Sequence, residues 1–199
     1  MQSYRLFIIA LFPLLLSACK QEQTPAPQKE SYVQFFTGAI NNKRVDIKTQ
    51  TTVTYQACES CNIESISGDW TGFTSINKDA YAVTVFLAKE NPADAQMPKL
   101  KFRIFDIKPA TFKITGEEDI YSPLATYIVL LKKGKTDAES TFYTANQQYK
   151  PFEITINKYV FNPDSGLPVV GGRLNGVLYN TTNHQDSIVL KDCTFEVKY

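Results

Sequence analysis

Apolar and polar residues take turns along two stretches of this chain. Leu100, Phe102 and Ile104 fall on one face with Lys101 and Arg103 on the other, and Phe152–Val160 alternates in the same way. Successive side chains of an extended strand point to opposite faces, so this period of two reads as half-buried strand. No sustained apolar pattern of helical period competes with it. The final stretch, Ser187–Tyr199, is alternating too, but with a slip. Ile188 and Leu190 share one phase, whereas Cys193, Phe195, Val197 and Tyr199 keep a phase one residue off. A skipped residue in a period-two pattern is the signature of a β-bulge, here around Lys191-Asp192. Composition agrees: 13 Phe and 11 Tyr, with frequent Thr, Val and Ile, suit a pleated sheet.

Further strands are expected at Tyr32–Ile40 and Lys43–Lys48, around Asn41-Asn42, a dipeptide suited to the positive φ angles of a two-residue hairpin turn. Thr51–Ala57, Ile63–Ile66, Trp70–Ile76 and Ala80–Ala88 follow, the last apolar enough to be central in a sheet. Asn91–Pro98 reads as a surface loop and Thr111–Thr115 as a short strand after Pro109. Ala125–Leu131 and Ser140–Thr144 are hairpin arms, and a helix over 120–133 is disfavoured by Pro123 and the β-branched run. Val169–Tyr179 is a glycine-punctuated strand entered from the turn Asn162-Pro-Asp-Ser-Gly166. Ten or more short strands without a helix predict an all-β fold over residues 32–199, an antiparallel β-sandwich or, as the alternative, a calycin-like barrel.

The N-terminus is different in kind. Arg5 precedes the apolar run Leu6–Leu16, which is only about half of the roughly 20 residues a spanning helix needs. Its length and flanks are those of a signal-peptide core, placing a leader at residues 1–18. Leu16-Ser17-Ala18-Cys19 resembles the lipobox of bacterial lipoproteins. That resemblance implies cleavage before Cys19, a diacylglyceryl group on its thiol and an acyl group on the new amine. More than one chain is what stable anchoring requires. Lys20–Ser31 holds nothing larger than Ala or Pro to bury, so residues 19–31 read as a lipidated cysteine and a disordered tether reaching about 20 Å. Lys20, not aspartate, follows the cysteine, and by resemblance to the enterobacterial sorting rule nothing retains the chain at the inner membrane. The expected location is the cell envelope, at the outer membrane. The whole chain carries 21 Lys+Arg and 20 Asp+Glu, and removal of Arg5 with the leader balances them. Nothing in that balance favours nucleic acid, so the membrane partner is engaged through the lipid on Cys19.

The C-terminal third resembles a family of Bacteroidota lipoproteins known mainly as a domain of unknown function. The resemblance is carried by Ile154-Thr-Ile-Asn-Lys158, by Gly172-Arg-Leu-Asn-Gly176-Val-Leu-Tyr179 and by Ile188–Val197, which ends in Phe-x-Val. The family pattern has glycine before Thr-Phe where this chain has Cys193, so either the bulge sits at Asp192 or the cysteine has another purpose. The resemblance implies location and a β-sandwich-like domain, and no activity.

Cys58-Glu-Ser-Cys61 is the one compact pair of reactive residues. In an exported protein a local disulfide is the first reading. Pairing of either with Cys193, redox chemistry and free thiols are the others; redox chemistry would need a helix N-terminus after Cys61 to lower a thiol pKa. Cys193, phased with apolar neighbours, reads as a buried thiol. A zinc set of Cys58, Cys61, Cys193 and His184 fits no familiar spacing. One histidine and no nucleophile elbow argue against a hydrolase, and Glu117-Glu118-Asp119 reads as a solvated turn. Asn162–Gly166 offers too few oxygens for calcium. Trp70 and the other aromatics fit a core better than a sugar pocket, and Asp186-Ser187-Ile188 resembles a three-residue O-glycosylation motif of Bacteroidota.

The expectation is therefore a non-enzymatic, lipid-anchored binding or structural module, without metal or cofactor, whose partner is an envelope protein complex or a glycan. A carrier of a small hydrophobic ligand or glycan is the first alternative, and a contiguous apolar cavity of a few hundred Å³ would favour it. An envelope enzyme is the second.

Overall fold

A computed structural model of the chain describes residues 33–50, 63–90, 94, 96–116, 119–134, 136 and 139–198. Cys19, Cys58, Cys61, Glu117, Glu118 and the expected strand Thr51–Ala57 lie outside them.

The described residues form eleven strands in chain order: β1 (Val33–Ile40), β2 (Lys43–Gln50), β3 (Ser65–Phe73), β4 (Lys78–Phe86), β5 (Lys99–Phe105), β6 (Ala110–Ile114), β7 (Tyr127–Lys132), β8 (Thr141–Thr144), β9 (Phe152–Phe161), β10 (Pro168–Asn180) and β11 (Ser187–Lys198). Thr74–Ile76 forms a 3₁₀ turn, and no helix among the described residues is long and apolar enough to cross a membrane. Every pairing is antiparallel, in the order β2-β1-β11-β10-β8-β7-β5-β4-β3. This single sheet curls until its two ends, β2 and β3, come together, so the all-β expectation holds and the sheet is nearly closed into a barrel. Opposite walls still face each other across one core, as two layers of a sandwich do. Phe102 on β5 meets Phe195 on β11 edge to face, ring centroids 5.0 Å apart.

The core is what the alternation promised. Leu100, Phe102 and Ile104 on β5, and Phe152, Ile154 and Ile156 on β9, are all at least 98% buried. Each such side chain contributes about 1.5–3 kcal/mol by leaving water.

The sheet forks at β10. One edge of that strand pairs with β9 from Pro168 to Asn175, then with β8 at Tyr179 and Asn180. Gly176 stands at the branch with φ +154°, and a Cβ there would come within 2.6 Å of the Phe152 ring. Only glycine lets the strand leave β9 while Phe152 fills the space behind it. β9 carries β6 on its other side.

Two seams matter for function. At the bulge, Leu174 pairs with Cys193 and Gly176 with Leu190, so Asn175 faces both Lys191 and Asp192. Asp192 takes the positive φ of 52°, which resolves the question raised by Cys193: the bulge sits one residue earlier and Cys193 keeps ordinary strand geometry. At the barrel seam, β3 and β2 are offset. The Ile66 amide near the start of β3 reaches Thr49 Oγ1, near the end of β2, at 3.4 Å. The first half of β2 therefore has no strand on its outer edge among the described residues.

Candidate functional site

β1 runs from Val33 at the lower end of the barrel to Ile40 at the upper end. At that upper end, Asn41 and Asn42 turn the chain into β2 with φ of 49° and 61°, as a two-residue hairpin turn demands. Asn41 is also pinned to β11. Its amide donates to the Val189 carbonyl at 2.9 Å, and its Oδ1 accepts the Val189 amide at 2.8 Å. Leu87 N–H donates to the Pro98 carbonyl at 2.9 Å and closes the neck of the loop between β4 and β5.

Between these fixed turns, beside the unpartnered half of β2, lies a pocket of about 390 Å³. That size is within the range of small-molecule sites. Its apolar lining is Ile40, Val45, Leu87, Pro98, Leu130 and Ile188. Leu87, Leu130 and Ile188 belong to the barrel core, so the pocket opens directly onto it. Around the mouth stand Lys43, Arg44, Lys89 and Lys132 with Glu64 and Glu90. Lys132 Nζ donates to both oxygens of Glu90, at 3.0 and 2.9 Å, and lies 5.5 Å from the centre of the Tyr143 ring. Glu64 Oε1 accepts the Ala88 amide at 3.2 Å. Among the described residues the lining has no hydroxyl, thiol or imidazole. The pocket is thus apolar inside, with charged side chains around its mouth.

Behind the pocket, the turn between β10 and β11 is held by the buried Asn180 side chain. Its Oδ1 accepts the Thr182 amide and hydroxyl, both at 2.9 Å, and its Nδ2 donates to Asp186 Oδ2 at 3.0 Å. Tyr143 Oη donates to the same oxygen at 2.7 Å. The Asn180 and Tyr143 hydrogen bonds hold the Asp186 carboxyl below the usual aspartate range. Burial, then the Asp186 acceptor and its charge, push the Tyr143 phenol up to about 12.

A family model described as a domain of unknown function, DUF5025, matches residues 33–198. The chain belongs to the DUF5025 family. The matched span takes in every described strand, the pocket and the fork. No curated protein and no solved structure matches this DUF5025 chain.

The residues singled out from the sequence scatter over the DUF5025 domain. Cys193 is a free, wholly buried thiol, its Sγ 3.6 Å from the carbonyls of Ala39 and Lys191. His184 is exposed beside Asn146 in the turn before β11. Cys193 lies six residue steps along β11 from Ser187, about 20 Å at strand rise, so His184 and Cys193 do not share a site. Among the described residues no three His, Cys, Asp or Glu side chains converge for a metal.

Asn162 Oδ1 is occupied by the Asp164 and Ser165 amides, and Asp119 Oδ1 by the Tyr121 amide; both are turn-forming contacts. Ser187 is half-buried in β11, paired with Tyr179, and follows an Asp186 already committed to Tyr143 and Asn180. Trp70 packs on the core at the lower half of β3, edge-on to Phe161 at 6.0 Å, and is no part of the pocket. The pocket residues themselves carry no sequence motif. Lys43-Arg44 beside the Asn-Asn turn is the nearest to a signal, and it becomes one only once Leu130 and Lys89 are seen alongside.

Proposed function

We propose that this chain is a lipid-anchored, non-enzymatic binding module of the cell envelope, and that the pocket at the upper end of the barrel holds a small ligand with an apolar body. The observation that carries the binding role is the pocket: about 390 Å³ opening onto the core, with an apolar lining and a charged mouth. That cavity moves the reading from a purely structural module toward a carrier. The anchor rests on the Leu16–Cys19 lipobox and the leader before it. The described domain begins at Val33, at the opposite end of β1 from the pocket.

Native mass spectrometry on full-length protein recovered from its own envelope tests both parts. A triacylated N-terminus at Cys19 and a non-covalent adduct of small mass are expected. The adduct should vanish in Ala88→Trp and Val45→Trp, two variants that fill the pocket. A bare Cys19 or an uncut leader would overturn the anchor. A protein without adduct, or an adduct retained by both variants, would overturn the pocket.

A further inference from the structure

The charges around the mouth are not balanced among themselves. Six ionisable side chains line it, four cationic and two anionic. The two carboxylates are already engaged: Glu90 gives both oxygens to Lys132, and Glu64 accepts the Ala88 amide. Lys43, Arg44 and Lys89 make no ion pair among the described residues. The chain as a whole is almost neutral, with 21 basic and 20 acidic residues, so this excess is local to the mouth. Its carriers come from two distant stretches, the start of β2 and the loop after β4, which the fold brings to one rim.

The geometry points to a ligand with a single apolar chain and an anionic head, carboxylate or phosphate. This deepens the reading of the pocket as a ligand site and rests on it. The apolar part lies against Ile40, Val45 and Ala88, over a floor of Leu87, Leu130 and Ile188, and the head emerges between Lys43, Arg44 and Lys89. Arginine suits this position because its guanidinium presents a planar fork that matches carboxylate and phosphate oxygens two at a time. The Lys132–Glu90 pair, beside these cations, keeps Glu90 turned away from the head by holding both of its oxygens. A neutral or cationic head would forgo the charge-assisted hydrogen bonds that the mouth offers.

Calorimetric titration of the full-length chain with octanoate, octyl phosphate and 1-octanol at low ionic strength tests this. At least one of the anions should bind about tenfold or more tightly than 1-octanol, the scale of one hydrogen bond to a charged group. High salt should narrow the gap. The triple variant Lys43→Gln, Arg44→Gln, Lys89→Gln should close it by weakening the anions more than 1-octanol; these surface substitutions leave the core intact, and a thermal melt confirms folding. Equal binding of all three ligands would overturn the selectivity and leave the carrier reading standing. Binding of none would overturn the carrier reading itself.

Discussion

The Tyr143 phenol donates to the Asp186 carboxylate at 2.7 Å, and that one contact joins β8 to the turn ahead of β11, behind the pocket. It is flanked by the Asn180 amide on the same oxygen. The two residues respond to pH in opposite senses. Asp186 is more acidic in the fold than in the unfolded chain, so its contribution is present above about pH 4 and is lost as pH falls through the lower folded value. Tyr143 is raised to about 12 in the fold, so its contribution is complete below about pH 10 and is lost as pH rises toward that value. Tyr143→Phe should cost about 1 kcal/mol at neutral pH by chemical denaturation and flatten the decline of stability above pH 10. An unchanged alkaline limb would contradict this.

The Cys193 thiol should be silent. Burial pushes it up to about 11, outweighing its contacts with the Ala39 and Lys191 carbonyls. A thiol reagent applied at pH 8 should label Cys193 only at the rate of unfolding, and within seconds in denaturant. Fast labelling of Cys193 in the native protein would contradict its burial.

Gly38 and Cys193 are packed backbone to backbone. A Cβ at Gly38 would fall 2.5 Å from Cys193 Cα and 2.7 Å from its Sγ, at φ +152°. Neither the backbone nor the buried sulfur has room to yield, so Gly38→Ala should destabilise by roughly 1–3 kcal/mol. Denaturation midpoints at constant slope measure it.

Asp192 holds the bulge at φ 52°, a conformation that a β-branched residue resists. Asp192→Val should cost about 1–2 kcal/mol and Asp192→Gly should be neutral or stabilising. The opposite ranking in thermal melts would mean that the bulge is not where the register places it.

The Phe102–Phe195 contact ties opposite walls of the barrel, with both rings at least 98% buried. Phe102→Ala should lose about 3–5 kcal/mol, enough to unfold many domains of this size. A loss below about 1 kcal/mol would show that the walls do not depend on this packing.

Much of the fold was legible because strand alternation survives in a chain with few helix formers. The bulge at Lys191-Asp192, the Asn41-Asn42 turn and the β7–β8 hairpin all follow from local pattern. The sequence pattern predicts two strands, Ile63–Ile66 and Trp70–Ile76, where β3 is one, Ser65–Phe73. The structure keeps one strand there since Gly68 is a seat for a ring: a Cβ would meet Tyr81 Oη at 2.0 Å. Such a cross-strand reason leaves no local trace. The fork at Gly176 and the offset at the barrel seam are likewise products of pairing between distant strands. The pocket was invisible for the same cause. Leu87, Leu130 and Ile188 are core residues like any others and only floor the pocket, and Lys43 and Lys89 look like solvated charges.

The ligand site proposed for this DUF5025 domain is the upper end of its barrel. Amide chemical-shift mapping of the full-length protein with octanoate tests it most directly. Shifts confined to residues 40–45, 87–90, 130–132 and 188, with the amides of Trp70 and Phe161 unmoved, are the predicted result. Shifts centred on Trp70 and Phe161 at the lower end, or none at saturating ligand, would contradict it.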